Sequence, residues 1–449
     1  MNLETSEELR TVIECGIDLI QGFYTGRPSE KPIRTISEKV LQEIRYENFQ
    51  LAQGDHEFLF YEPVPGEDMN LLDLAMGKYS CLFLREGEYT LRGEKSNSVD
   101  MNIRIADNEK VKLMLSQVNL NGTMQPCIRL GSNSTLELEL SGHNTLNKDG
   151  ILVPGSARLI VRGEGSLLIH STRNYAVGIG ANYNDPYGTI DLGNEGMIAV
   201  RSSGDRTVCI GGGSSCGDGI RIRTGSLDLN AGGISVVGIG SSAGGANIEI
   251  ADTDCSIRVE GNETLLIGSM SGSADIRMSG DYRLYSASER TTAIGTMSGS
   301  ADVLICGGTV MANIRCDSGA IIGTFNGEAK VVCRDTAVRV HGEGNCIAGF
   351  GSLSGACDTR VESGEVRGDL LAGERLLLGN NHSRFMVTGG NIRLFQDCDN
   401  VPVSPCGAPL TFIKPEGDHF EQTFTDRRTT WTYKADRSED GYLGVWIPC

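Results

Sequence analysis

The stretch Ile294–Gly323 reads IGTMSGSADVLICGGTVMANIRCDSGAIIG and contains one full unit of the repeat that decides the fold. It begins and ends with an apolar residue followed by glycine. Between these pairs, apolar residues alternate with their neighbours, first at Val303 and Ile305 and then at Val310 and Ala312. Alternation with a period of two predicts short β-strands that each bury one face.

The apolar–glycine pair recurs along the chain at nearly constant intervals. Successive pairs begin at Ile179, Ile210, Ile239, Ile267, Ile294, Ile322, Phe350 and Leu378, at intervals of 31, 29, 28, 27, 28, 28 and 28 residues. Strands this short complete their backbone hydrogen bonds by pairing with the same strand one coil away, which gives parallel sheets with coils about 4.8 Å apart. The sequence therefore predicts a mainly β fold, a right-handed parallel β-helix solenoid with about 28 residues per coil.

The repeat also predicts the role of each position. The apolar members of the pairs are expected to stack as one column inside the solenoid. The glycine after each of them is expected to adopt a positive φ angle, or to lie too close to the next coil for a Cβ atom. We therefore expect Gly295→Val to lower stability through that clash, and an unchanged melting temperature would contradict this.

The chain divides into four predicted segments. Residues 1–48 are predicted to form a short helix–strand–helix segment and residues 49–79 a linker. Residues 80–395 are predicted to form the β-helix, with less regular coils before Ile151. Residues 396–449 contain three alternating runs and an Asp440-Gly441 turn, which is a strong hairpin signal and predicts a small C-terminal β cap.

Composition narrows the possible partners and compartments. The net charge of −18 argues against nucleic acid as the main partner, and no apolar run reaches the ~18 residues that would predict a membrane span. The N-terminus, MNLETSEELR, lacks the apolar core of a signal peptide. The 14 cysteines include no CxxC pair, so we expect mostly free thiols and a cytoplasmic location. Cys398 and Cys406 would be able to pair if the chain were secreted.

A run in the early coils carries a first resemblance. The segment Ile128–Leu168 contains GSNSTLELELSGHNTL followed by ILVPGSARLIVRGEGSL. It resembles the β-helical, carbohydrate-binding-like domains of bacterial surface proteins. The resemblance covers roughly residues 80–395, and it implies a β-helix that binds a polysaccharide or a protein.

The N-terminus carries a second resemblance. The tripeptide LET is followed by a predicted helix that ends at a Cys-Gly pair and then by DLIQGFYTGRP. Residues 2–35 thus resemble the C-terminal end of EAL domains, TIM-barrel phosphodiesterases that hydrolyse cyclic di-GMP. The resemblance implies that Glu4 matches an acid beside the metals, Glu7 the next acid and Gln21 the glutamine of the QG-aromatic motif.

The rest of the EAL pattern has no counterpart here. Two-metal hydrolysis needs carboxylates from several strands, so we expect this chain not to hydrolyse cyclic di-GMP. No cofactor is predicted for this chain, and Mg or Mn is expected only if the missing EAL half is present. The chain is then expected to be either a fragment of a longer phosphodiesterase or the product of a gene that has lost its 5′ part.

A polar row on the β-helix is the best surface candidate from the sequence. It falls eight residues after each apolar–glycine pair and comprises Asn247, Asp275, Asp302, Lys330 and Asp358. Arg277 and Arg360 lie two residues further on, and either supply a base or pair with these aspartates. Stacked carboxylates on a parallel β-helix bind calcium and an acidic sugar chain in some pectate lyases; the alternative is a solvated face. The six histidines show no metal-ligand spacing, so no metal site is predicted from them.

These observations favour a non-catalytic binding or sensory module attached to the end of a cyclic-di-GMP phosphodiesterase. The expected ligand is a polysaccharide or a protein, with no nucleic acid and no membrane insertion, and the oligomeric state is left open. The alternatives are a polysaccharide lyase or hydrolase that uses the acidic row, an active EAL phosphodiesterase if the chain is a fragment, and a surface adhesin, which would require a leader.

Overall fold

The structure is a computed structural model that describes residues 59–94, 97–122, 126–172, 174–175 and 177–376, with the backbone of further strands within 384–448. Of the first 58 residues it describes 8–9, 22, 24–26, 36, 40–41 and 43–44. The chain divides into two compact units, Met1–Phe60 and Tyr61–Cys449.

The first unit has a small core of its own. Leu9 and Val40 are buried, and three partly buried residues pack against them: Tyr24, Ile36 and Ile44. The Tyr24 hydroxyl donates a hydrogen bond to Glu43 Oε2 at 2.7 Å. Residues 8–9, 40–41 and 43–44 are helical, within or next to the two helices that the sequence predicts.

From Leu59 onwards the described chain consists almost entirely of strands. Strands β1–β14 are Leu59–Tyr61, Asp68–Asn70, Tyr79–Leu84, Gly87–Arg92, Val99–Asp100, Asn102–Ile105, Lys110–Ser116, Asn119–Asn121, Ile128–Arg129, Thr135–Ser141, His143–Lys148, Ile151–Leu152, Arg158–Gly163 and Ser166–Ser171. Strands β15–β25 are Val177–Gly180, Pro186–Tyr187, Thr189–Leu192, Met197–Ser203, Arg206–Gly212, Ser214–Ser215, Ile220–Ile222, Ser226–Ser241, Ala246–Ser271, Ala274–Ser298 and Ala301–Cys306. Strands β26–β36 are Thr309–Asn326, Ala329–Arg334, Thr336–Ser352, Cys357–Val361, Gly364–Leu376, Arg384–Val387, Asn391–Asp397, Thr411–Phe412, His419–Asp426, Thr430–Ser438 and Gly441–Pro448.

Each regular coil contributes to three parallel sheets, which we call A, B and C. In strand β24, residues 274–278 lie in sheet A, residues 280–288 in sheet B and residues 290–298 in sheet C. Each of these runs pairs in parallel with the equivalent run of the coils before and after it. The predicted parallel β-helix with about 28 residues per coil is therefore confirmed.

The apolar column inside sheet C is also confirmed. Its members are direct register partners on successive coils: Ile103, Ile128, Ile151, Ile179, Ile210, Ile239, Ile267, Ile294, Ile322 and Phe350. All of them are essentially inaccessible to solvent. Burying one such side chain stabilises the fold by about 1.5–3 kcal/mol, so the column is a major part of the core. Leu378, the predicted last member, lies outside the described residues.

The glycines beside this column behave as predicted. Each has a positive φ angle, from 126° at Gly211 to 139° at Gly268. A Cβ atom on Gly295 would lie 1.7 Å from the carbonyl oxygen of Gly323 on the next coil. The same approach to the next glycine recurs from Gly180 onwards, so a side chain here would push neighbouring coils apart.

A buried hydroxyl follows each of the later glycines. Ser241, Ser269, Thr296, Thr324 and Ser352 are register partners, and none of them is accessible to solvent. Ser241 donates a hydrogen bond to the carbonyl oxygen of Gly245 at 2.8 Å, and Ser269 to that of Gly244 at 2.6 Å. Buried hydroxyls need such partners, so these residues also hold the turns that lead back to sheet A.

The solenoid begins inside the segment predicted as a linker, residues 49–79. Strand β2 pairs in parallel with β4, and the short helix α1, Leu71–Met76, follows it directly. The Asn70 side chain caps this helix by accepting a hydrogen bond from the Leu72 amide, and Leu71 and Leu74 join the main core. Strands of three residues are too short to show the alternation on which the prediction relied.

The described C-terminal strands change from parallel to antiparallel pairing. Strands β31 and β32 continue the parallel register, whereas β34–β35 and β35–β36 are antiparallel pairs. The antiparallel strands fall within the segment 396–449 that was predicted as a cap, and only their backbone is described. Within the described part of the chain, no helix has the length and apolar character that a membrane crossing requires.

Candidate ligand-binding groove on sheet B

A groove of about 580 Å³ runs across the outer face of sheet B. We call it the sheet B groove. Its lining comes from five successive coils: Ser256, Ile257, Arg258, Arg283, Leu284, Tyr285, Met311, Ala312, Asn313, Arg339, Val340, His341 and Arg367. Five coils at about 4.8 Å spacing give the groove a length of about 19 Å along the solenoid.

The alternation of each strand forms the groove. In β24, Leu284 is buried while Arg283 and Tyr285 on either side of it point outward. Register repeats this arrangement on each coil, so two outward rows run along the solenoid with buried residues between them. The first row is Ser256, Arg283, Met311, Arg339 and Arg367, and the second is Arg258, Tyr285, Asn313 and His341.

The lining is basic although the chain is acidic. Four arginines line the groove and no carboxylate does, in a chain with a net charge of −18. Arg258 pairs with Glu260 at 2.6 Å and Arg283 with Asp254 at 3.1 Å, and both carboxylates lie outside the lining. Such exposed pairs are weak and readily rearranged by a ligand.

Arg339 lies near the middle of the first row and is exposed. It forms no ion pair with any residue in the part of the chain that the structure describes. Its register partners are Met311 on one side and Arg367 on the other, so no carboxylate faces it along the row. A guanidinium in this setting has its fork of donors available for a planar anion.

The groove also offers an aromatic and an apolar surface. The guanidinium carbon of Arg258 lies 4.4 Å from the centre of the Tyr285 ring. Met311 is 44% exposed. Tyr285 and Met311 thus add an aromatic and an apolar surface to the groove, and the Arg258 guanidinium covers one face of the Tyr285 ring.

His341 lies at the far end of the second row. Its Nε2 is 3.1 Å from Glu343 Oε1, and this hydrogen bond, together with the nearby Arg315 guanidinium, holds the pKa of the Glu343 carboxyl below its ordinary value. Ionisation of Glu343 is therefore favoured, and its carboxylate holds the His341 imidazole that lines the groove.

The polar row predicted on sheet A is in the predicted register. Asn247, Asp275, Asp302, Lys330 and Asp358 are direct partners on successive coils. However, Arg277 forms ion pairs with both Asp275 and Asp302, each at 3.0 Å. Lys330 Nζ adds a further contact with Asp302 at 4.0 Å. The central carboxylates are thus neutralised by neighbouring cations of the same surface.

Arg360 lies two positions beyond Asp358 and is the register partner of Val332. Asn247, at the other end of the row, donates a hydrogen bond from Nδ2 to the carbonyl oxygen of Asp218 at 3.1 Å. Among the described residues, no group of three or more His, Cys, Asp or Glu side chains is arranged to hold a metal ion. The two central carboxylates of the row are therefore paired with neighbouring cations, and a ligand on this row stays a prediction.

The three positions matched to EAL domains lie outside the described residues. They are Glu4, Glu7 and Gln21. Their predicted correspondence rests on the sequence motif alone.

The described cysteines are free thiols, most of them buried in the core. Desolvation by burial raises the pKa of Cys209 and of Cys333 to about 12. These thiols therefore remain protonated at neutral pH and act as small apolar side chains.

The sheet B groove was missed by the sequence analysis, although a signal for it is present. Arg339 and Arg367 are separated by one repeat, and Arg283 falls two repeats before Arg339. The acidic positions on sheet A were preferred as a candidate site, because carboxylates suggest metal and lyase chemistry.

Comparison with known proteins leaves the function to be argued from the groove itself. No family model, no curated protein and no solved structure matches this chain. The two resemblances described above, to carbohydrate-binding-like β-helices and to the end of EAL domains, therefore stay predictions.

Proposed function

We propose that the chain is a non-catalytic binding module whose β-helix holds a polysaccharide in the sheet B groove. The observation that carries this proposal is the groove itself, an open trough of about 580 Å³ with the Tyr285 ring and exposed Met311 beside polar donors. Concave sites that combine flat apolar surface with a few polar groups are typical of ligand binding. A length of about 19 Å suits an extended chain of several sugars better than a single small molecule.

The side chains of the groove favour binding over catalysis. Glycoside hydrolysis commonly uses a pair of carboxylates that flank the scissile bond. The groove lining contains no Asp or Glu, and its histidine is engaged by Glu343. The rival lyase or hydrolase on sheet A would need the carboxylates of Asp275 and Asp302, which Arg277 already pairs.

The resemblance of Ile128–Leu168 to carbohydrate-binding-like domains supports a sugar ligand over a protein one. The groove adds to this support, because its polar members Asn313 and Ser256 are donors and acceptors suited to hydroxyl groups.

The resemblance of residues 2–35 to EAL domains supports a further proposal about context. The module would then act beside a cyclic-di-GMP phosphodiesterase and report on a polysaccharide. A phosphodiesterase assay on this chain is expected to give no hydrolysis of cyclic di-GMP, and measurable hydrolysis would contradict the account.

A glycan array tests the proposed function. The intact chain is expected to bind one class of polysaccharide, and Tyr285→Ala is expected to weaken that binding at least tenfold, because the stacking surface is lost. Tyr175→Ala is the matched control, since the Tyr175 ring is exposed and its centre lies 5.6 Å from an arginine guanidinium, but Tyr175 is not part of the groove. Failure to bind any glycan, or equal losses in both variants, would refute the proposal.

A further inference from the structure

We infer that the sheet B groove takes an acidic polysaccharide, a polyuronate with a carboxylate on successive sugars, lying along the solenoid axis. The inference rests on the proposed function and specifies its ligand. Three features of the groove support it: the spacing of its arginines, their charge environment and the direction of the trough.

The arginines of the first row repeat with the coils. Arg339 and Arg367 are direct register partners, so their backbones lie about 4.8 Å apart. Arg283 belongs to the same row two coils earlier, and the backbone register continues from Arg367 to Arg393. The described cations of the row are thus two coils apart between Arg283 and Arg339, where Met311 intervenes, and one coil apart between Arg339 and Arg367. Such a row matches a linear polymer that carries anions at short intervals.

The charge environment explains why the anion would bind here and not elsewhere. The whole chain repels polyanions because its net charge is −18. The groove lining is free of carboxylates, and the acids that pair with Arg258 and Arg283 lie outside it. A carboxylate on the ligand would therefore meet Arg339 without competition from a described acidic side chain, and would form a charge-assisted, bidentate hydrogen bond.

The direction of the trough sets the pose of the ligand. The two outward rows run parallel to the axis, with Arg283, Arg339 and Arg367 in the first and Tyr285 next to Arg258 in the second. A sugar chain between them would direct carboxylates at the first row while one ring face packs on Tyr285 and Met311. Single-stranded nucleic acid, the other linear polyanion, uses several aromatic rings in series for base stacking, whereas this groove has one.

Arg339 is expected to dominate the binding, so its replacement is the critical variant. Charged hydrogen bonds of this kind contribute enough that Arg339→Gln should weaken binding of an acidic oligosaccharide roughly 10- to 100-fold. Arg315→Gln is the matched control. Arg315 is exposed on β26, the strand that pairs with β28 on which Arg339 lies, but it pairs with Glu343 at 2.9 Å and does not line the groove. We expect that control to change the affinity less than twofold.

The experiment is a calorimetric titration of the full chain with defined hexamers. The probes are hexamers of galacturonate, mannuronate and guluronate, hyaluronan hexasaccharide, the methyl ester of the galacturonate hexamer, cellohexaose and a dT hexamer. The expected result is binding of at least one uronate probe, no comparable binding of cellohexaose or of the ester, and loss in Arg339→Gln but not in Arg315→Gln. Equal thermal midpoints of the variants establish that both are folded.

The outcomes separate this inference from the proposed function. Binding of neutral and acidic hexamers with equal affinity, sensitive to Tyr285→Ala but not to Arg339→Gln, would overturn the inference and leave a polysaccharide-binding module. Binding of the dT hexamer in place of every sugar would overturn both, as would binding of none of the probes together with an empty glycan array.

Discussion

Replacing Gly295 with alanine is the sharpest test of how the solenoid is built. The change adds one Cβ atom, which would lie 1.7 Å from the carbonyl oxygen of Gly323 on the next coil. The φ angle of Gly295 is 133°, a conformation that other residues rarely adopt. Two separate costs therefore act at one position, and neither is relieved by rotation of a flexible side chain.

The expected loss of stability follows from these two costs. An alanine at such a φ angle costs about 1–3 kcal/mol. Relief of the overlap requires the two coils to separate locally, which breaks about two ladder hydrogen bonds at about 1 kcal/mol each. The total is about 3–5 kcal/mol, at the upper end of what single substitutions do.

Two other glycines allow the conformational cost and the cost of the clash to be measured separately. Gly307 has a φ of 77° and nothing within 4 Å of its Cβ position, so Gly307→Ala carries the conformational cost without the clash. Gly232 has neither, since its nearest contact would be 3.8 Å away. We expect losses in the order Gly295→Ala, Gly307→Ala, Gly232→Ala, with the last near zero.

The assay must resolve individual coils, because a solenoid need not unfold in one step. Urea denaturation gives the overall loss, and amide hydrogen exchange locates it. Gly295→Ala should speed exchange in strands β24 and β26 around residues 290–326 more than in β13 and β14. Equal stability of Gly295→Ala and Gly232→Ala, or exchange that is unchanged near Gly323, would refute the reasoning.

Three further predictions concern the core and its charges. Thr296→Val removes a buried hydroxyl that lies 3.1 Å from the carbonyl oxygen of Gly299. The free energy of unfolding, measured by urea titration, should fall by about 1–3 kcal/mol. No change would show that the turn does not need this hydrogen bond. Hydrogen bonding to Arg221 lowers the pKa of Glu249 below 4.5, so the ionised carboxylate stabilises the fold above that pH, and this stabilisation is lost as the pH falls through the lowered pKa. Glu249→Gln should therefore flatten the fall of the thermal midpoint at acid pH. An identical pH profile in the variant would contradict the prediction. Alkylation at pH 8, read out by peptide-resolved mass spectrometry, should label the exposed Cys216 in the native protein. Cys333, whose pKa is raised to about 12, should be labelled only after denaturant is added. Equal labelling of both cysteines in the native protein would contradict the burial of Cys333.

The repeat could be predicted in detail because its determinants are local. The period-two alternation sets which side chains point inward, and the apolar–glycine pair marks the same place in every coil. These two signals were enough to align Ile294 with Ile322 and Asp275 with Asp302, and the register bears both out.

Two features escaped prediction for physical reasons. The first coil contains strands of three residues such as Asp68–Asn70, which cannot display a period. The groove depends on which outward positions of different coils become neighbours on sheet B. These neighbours are in turn set by the position of the turns between the sheets in each coil. Likewise, the sequence left open whether Arg277 pairs with the aspartates beside it, and the answer came only from the two 3.0 Å contacts.

The most direct test of the account is the affinity of the full chain for an acidic hexamer after equivalent changes on two sheets. Arg339→Gln alters the sheet B groove, and Arg277→Gln alters the paired row on sheet A; both residues are outward-facing arginines. The account predicts a loss of roughly 10- to 100-fold for Arg339→Gln and a change below twofold for Arg277→Gln. The reverse pattern would place the ligand on sheet A and contradict the central claim.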